Sequence, residues 1–211
     1  TDAVRNRSSG GASGAASSRS GTSTTPGRFN GRLLDWCGNT GGNAIMMAQR
    51  DPTLNVTVFD LPTQVAKAAP AIADAGLSSQ IGTLGVDLLD DSFAIAGSYD
   101  AVTMIHTIRE WSKEHLARFF RLIYAALTPG GGLIMDMVAK HAEGTGYQLE
   151  KKPQQGLNSL YFLVSASHEQ HSHTPKELVD MLKNAGFSWA GSADAMCVEG
   201  GVSGGYVMAT K

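Results

Sequence analysis

The feature that most constrains the fold of this chain is an alternation of two residue periodicities that begins at Arg32. Short apolar runs at Leu33–Cys37, Val56–Asp60, Ile81–Asp87, Ala101–His106 and Leu133–Val138, each bounded by Gly, Pro or Asp, read as strands. Stretches with helical signals lie between them. Asn39 or Thr40 can cap a helix running to Arg50, and Pro62 suits the first turn of a helix that runs to Ala75 and ends at Gly76. Ser112 caps a stretch with Leu116, Phe119, Phe120, Ile123 and Leu127 at helical spacing, and "TPGGG" stops it. Pro175–Ala185 forms a last helix closed by Gly186, followed by strands at Phe187–Ala193 and Gly205–Thr210. Strands alternating with helices predict a mostly parallel sheet covered on both faces, and the closing pair of strands predicts a hairpin at one edge.

The length of 211 residues suits one well-buried domain. Residues 1–31 stand apart from it: they are rich in Ser, Gly and Arg and nearly free of large apolar side chains, so they cannot offset their ordering entropy. They read as a flexible linker or processed remnant, and the chain begins without Met, which favours a processed or truncated product. The net charge of −2 gives no electrostatic reason to expect nucleic acid or an anionic membrane as partner, and a small-molecule substrate fits better. No apolar run approaches the ~18 residues that span a bilayer. Cys37 and Cys197 form no CxxC pair, which suits a reducing, cytoplasmic setting.

In a parallel sheet of this kind, ligands bind beyond the carboxyl ends of the strands. Those ends carry Asp35-Trp-Cys-Gly-Asn-Thr-Gly, then Asp60-Leu-Pro, then Asp87-Leu-Leu, then His106-Thr-Ile-Arg109-Glu110-Trp111. Asp60 is placed to accept hydrogen bonds from ribose hydroxyls, and Asp87 can meet an adenine amino group. The loop from Gly38 lacks the G-x-G-x-x-G spacing of a dinucleotide fingerprint and the Gly-Lys-Ser/Thr ending of a P-loop. Without a dense nest of amides for a pyrophosphate, the reading is a nucleoside cofactor that lacks phosphates. "HEQHSH" at 168–173 lacks the H-E-x-x-H spacing of a helical zinc site and reads as a solvated loop, so no metal site is expected. Met46, Met47, Phe119 and Phe120 read as core packing, while Trp111 suits a ligand wall or a structural role about equally.

The ordered set "LLDWCGNTGG", "VTVFDLP", "GVDLLDD", "YDAVTMIHTIREW", "LTPGGGLIMDM" and "TPKELVDMLKNAGF" resembles the catalytic domain of the S-adenosylmethionine-dependent small-molecule O-methyltransferases, the caffeate and natural-product type. The resemblance covers residues 32–211. It implies a Rossmann-like methyltransferase fold with a mostly parallel seven-stranded sheet, an antiparallel last strand and helices on both faces. It also implies cofactor contacts from Asp35, Gly38, Asn39 and Gly41 in the first loop, from Asp60 and Leu61 near the ribose, and from Asp87 and Leu88 near adenine.

Three departures from that family bear on function. The family's loop has glycines at alternate positions where this chain has Cys37, Asn39 and Gly41; Asn tolerates positive φ, so the loop is expected to keep its shape with Asn39 left-handed. The family's His-Asp-Trp is Arg109-Glu110-Trp111 here, and a guanidinium cannot act as the general base that deprotonates the acceptor hydroxyl. Arg109 can bind an anionic acceptor instead, and His106 is the candidate replacement base. Of the acids that flank the family's base, Asp136 matches one, and Ser172 stands where another is expected. Finally, family members carry an upstream helical dimerisation domain, so a homodimer is expected only where that domain is present, and the pocket of this chain is expected to be more open. The leading expectation is O-methylation of a small hydroxylated or carboxylated aromatic or polyketide-type substrate. The alternatives are a cofactor-bound enzyme that dehydrates, rearranges or cyclises its substrate, and a non-catalytic pseudoenzyme.

Overall fold

A computed structural model of the chain describes residues 31–137, 171, 173–194 and 205–211. Seven strands form one sheet: β1 (Arg32–Trp36), β2 (Asn55–Asp60), β3 (Ile81–Gly85), β4 (Tyr99–Met104), β5 (Leu127–Met137), β6 (Trp189–Asp194) and β7 (Gly205–Thr210). Among the described residues four helices accompany them: α1 (Gly42–Arg50), α2 (Pro62–Asp74), α3 (Lys113–Ala126) and α4 (Pro175–Asn184). The strand order is β3-β2-β1-β4-β5-β7-β6. β1 through β5 run parallel, and β7 enters antiparallel between β5 and β6. The expected seven-stranded sheet with its edge hairpin is thus what the chain forms, and the order reverses between β1 and β4. Residues 1–30, expected from sequence to be a linker or processed remnant, and His168, Ser172 and Cys197 lie outside the described residues.

Consecutive apolar residues in the central strands serve both faces, as a sheet covered on two sides requires. Leu33, Val56 and Val58 pack with Ala44 and Ala48 of α1 and Ala68 and Ile72 of α2. Leu34, Trp36, Val102 and Met104 pack with Phe119 and Phe120 of α3 and Leu178 and Leu182 of α4. Phe119 and Phe120 are fully buried, as expected, and Met47 lies partly buried against the first group. Met46 is 46% exposed, so the expectation that it packs in the core is corrected; on a short helix only one stripe can face the sheet.

Several element ends differ from the sequence reading, for local reasons. β1 stops at Trp36 and β4 at Met104 because Cys37 and His106 take left-handed φ of 56° and 60°, which no strand can continue. β3 stops at Gly85 before a turn in which the Leu89 amide donates to Asp87 Oδ1 (2.9 Å). β5 begins at Leu127 rather than Leu133. Leu127 pairs with Tyr99 and Gly132 with Ala101, so Thr128–Gly131 bulge out of register around Gly130, whose φ is 78°. α1 is preceded by Gly41 with no side-chain cap, so neither Asn39 nor Thr40 caps it. Ser112 does cap α3 by accepting from the His115 amide, and Thr174 and Glu177 form a capping box on α4.

Candidate functional site

The parallel strands end on one rim, and the predicted residues lie along it. After β1 the chain takes positive φ at Cys37 (56°), Asn39 (51°) and Gly41 (79°), three alternate positions. Asn39 is left-handed, as expected, and Cys37 is too. The turn is fastened from both sides: the Cys37 amide donates to the Phe59 carbonyl (2.7 Å), the Gly41 amide to the Gly38 carbonyl (2.9 Å), and the Asn39 amide to Asp60 Oδ2 (2.8 Å). Asp60 also accepts from the Leu61 amide through Oδ1 (2.7 Å). The carboxylate at the end of β2 therefore ties the first loop to the second, while Leu61 beside it is 40% exposed.

Asp35 lies beneath this loop. Its Oδ1 accepts from Thr103 Oγ1 (2.8 Å) and its Oδ2 is buried with no partner. Burial pushes its carboxyl up to about 6, against the Thr103 hydrogen bond and with a smaller contribution from Asp60. A Cβ on Gly38 would stand 2.6 Å from that oxygen, so only glycine fits there. Burial likewise pushes the Cys37 thiol up, although Thr107 offers it a hydrogen bond.

At the end of β3, Asp87 is exposed, but the Leu88 side chain is buried in the core and its carbonyl accepts from Arg118 Nη1 (3.0 Å). The apolar surface beside Asp87 is that of Leu89, 64% exposed. The Leu88 side chain thus belongs to the core, and what Leu88 presents beside Asp87 is its backbone. The Asx turn made by Asp87 decides which leucine faces inward.

Beyond β4, His106 and Asp136 come together. Asp136, near the end of β5, accepts the His106 amide at Oδ1 (2.6 Å) and holds Nδ1 of the ring at Oδ2 (2.7 Å), while the His106 side chain is 76% exposed. One carboxylate thus clamps both backbone and ring. It fixes the left-handed turn and leaves Nε2 as the free end of the imidazole. Arg109 and Glu110 follow in a 3-10 turn, Ile108–Glu110.

The turn carrying Arg109 is docked from the other side. The His171 amide donates to the Arg109 carbonyl (2.9 Å), and His173 Nε2 lies 2.9 Å from the Trp111 carbonyl. A carbonyl only accepts, so Nε2 carries the hydrogen and buried Nδ1 is left without a partner. Burial lowers the His173 pKa. His173 is therefore a buried strut, and the reading of its stretch as a solvated loop is corrected at this position. Trp111 donates to Thr107 Oγ1 (3.0 Å) and packs edge-on against Phe119. Thr103 and Thr107 carry no signal in the sequence, since each acquires its role only through strand register or a side-chain contact made in the fold.

These features define a class: a Rossmann-like α/β domain with a tight loop and carboxylates at the ends of its parallel strands. A tight loop in which Gly38 closes directly over Asp35, carboxylates at the second and third strand ends and exposed Leu61 fit the nucleoside part of S-adenosylmethionine. Residues 28–188 match the model of the O-methyltransferase domain, and the chain belongs to that family, whose cofactor is S-adenosylmethionine. It is 28% identical over 157 residues to L-tyrosine C(3)-methyltransferase of Streptomyces lavendulae, an alignment covering 74% of this chain and 41% of that protein. It is also 28% identical over 158 residues to the aclacinomycin 10-hydroxylase RdmB of Streptomyces purpurascens, covering 75% and 40%. The crystal structure of apo SibL, an S-adenosylmethionine-dependent methyltransferase, superposes with a TM-score of 0.72 at 28% identity, over 85% of this chain and 50% of that one. The chain thus spans half or less of the length of these relatives. Among the described residues, no helix is long and apolar enough to cross a membrane.

Proposed function

We propose that this chain is the cofactor-binding half of an S-adenosylmethionine-dependent methyltransferase that acts on a hydroxyl of a small aromatic or polyketide-type substrate, with His106 rather than residue 109 as the base. The observation that carries the reading is the clamp of Asp136 on His106. The loop Gly38, Asn39 and Gly41, together with Asp35, Asp60, Leu61 and Asp87, would hold the cofactor. When bound, S-adenosylmethionine supplies an electrophilic methyl group. His106 takes the acceptor's proton at Nε2, and Asp136 fixes the ring tautomer and stabilises the imidazolium that forms. Arg109, always charged, steadies the anionic acceptor or a carboxylate on it, with Glu110 beside it in the same turn.

A second reading keeps the cofactor without the transfer. Arg109 occupies the position of the family's base, and one relative of equal identity is named a hydroxylase; polarisation of a substrate carbonyl by Arg109 would then serve dehydration, rearrangement or cyclisation. Incubating the chain with methyl-labelled S-adenosylmethionine and a panel of phenols separates the two. Label in the phenol product supports transfer. Substrate consumed without label supports the second reading, and failure of the cofactor or its demethylated product to bind in calorimetry would remove both.

A further inference from the structure

The dyad has an aromatic neighbour that neither the sequence reading nor the family's pattern assigned. β5 and β7 pair antiparallel with Asp136 directly opposite Tyr206, and Ile134 opposite Met208. Directly opposed residues point to the same face with Cβ atoms about 5 Å apart. On the alternate positions, Met135 and Val207 are buried beneath α3 and α4, so Asp136 and Tyr206 share the other face. Tyr206 is 40% exposed there, at the end of the strand where Asp136 holds the exposed His106 ring. A large aromatic side chain left open to solvent beside an oriented imidazole has the form of a binding wall.

We infer that Tyr206 is a substrate-stacking residue which selects planar aromatic hydroxyl compounds by packing its ring against theirs, with their hydroxyl toward Nε2 of His106. Beyond the apolar area buried, offset or edge-on packing of this kind adds an attraction for a flat π-face that a saturated ring of equal size does not receive. The inference rests on the reading of His106–Asp136 as the acceptor-side centre. It adds no chemical step. It says which acceptors reach the base.

Equilibrium dialysis of the whole chain, saturated with S-adenosylhomocysteine, tests it with two probes of similar volume: planar 2-naphthol and saturated 2-decalol. Tyr206→Ala is expected to weaken 2-naphthol binding by about three- to tenfold, the size of one aromatic pair. Tyr206→Phe should stay within about twofold of the native chain, and Tyr206→Ala should weaken decalol binding clearly less than 2-naphthol binding. No 2-naphthol binding by the native chain, an unchanged affinity in Tyr206→Ala, or equal losses for both probes would overturn the inference. Labelled-methyl transfer to 2-naphthol, measured beside it, keeps the two readings apart: binding that depends on Tyr206 without transfer would sink the methyl-transfer reading alone, and transfer that ignores Tyr206 would sink only this one.

Discussion

Two residues in the first loop stand where backbone geometry favours glycine. Asn39 at φ 51° and Cys37 at φ 56° are left-handed at two of the positions where the family resemblance implies glycines. The left-handed conformation costs an L-residue roughly 1–2 kcal/mol, least for Asn. Asn39→Val, which places a β-branched side chain at this φ, is expected to destabilise the chain by about 2 kcal/mol in urea titration, whereas Asn39→Gly stays within about 1 kcal/mol. Asp35 poses a different strain. Its folded pKa of about 6 lies above the ordinary value of 3.8, so the folded state binds the extra proton. Its contribution to stability is present in full below about pH 4 and is lost as pH rises through about 6, a change of about 3 kcal/mol by linkage. Asp35→Asn should therefore gain stability relative to the native chain across that window. Parallel curves from pH 4 to pH 8 would contradict the assignment.

At the level of elements, the 108–111 turn is held by parts far from it in sequence. Phe119 on α3 is fully buried, with ring centroids 5.0 Å from Trp36 and 4.9 Å from Trp111. Phe119→Ala is expected to cost about 3–5 kcal/mol in denaturant titration, because it removes a fully buried ring and leaves a cavity. From the other side, His173 docks the segment before α4 onto the turn. Its pKa is lowered by burial, so the unfolded chain takes up the proton first and stability falls as pH drops through about 6.5. The protection factor of the His171 amide, which donates to the Arg109 carbonyl, should fall between pH 7.5 and pH 5.5 while that of Val102 in the central sheet holds. Equal behaviour of the two amides would mean that His173 does not secure the turn.

Across the whole molecule, the elements were legible where composition alone decides them. Apolar runs that must serve two faces read as buried strands, and Pro62, Ser112 and Gly76 marked helix ends through their own backbone preferences. What sequence could not show was set by partners distant in the chain. β4 ends at Met104 because a carboxylate 30 residues later grips the His106 amide. Leu88 rather than Leu89 turns inward because of a side-chain turn at Asp87. Sequence could name Asp60 and His106 as candidates, since carboxylates and imidazoles at strand ends carry chemistry, and Asp136 through the family resemblance. It could not pair His106 with Asp136 or set Tyr206 opposite, because both depend on the register of β4, β5 and β7.

The most direct test of the relocated base is a set of single-turnover measurements of labelled methyl transfer to a phenol by the native chain, His106→Gln, Asp136→Asn and the double variant, each shown by calorimetry to bind S-adenosylhomocysteine as the native chain does. A dyad acting as one unit predicts a loss of about 10²- to 10⁴-fold in His106→Gln, with Asp136→Asn adding little once His106 is gone. Transfer by His106→Gln at the native rate, with cofactor affinity intact, would contradict it.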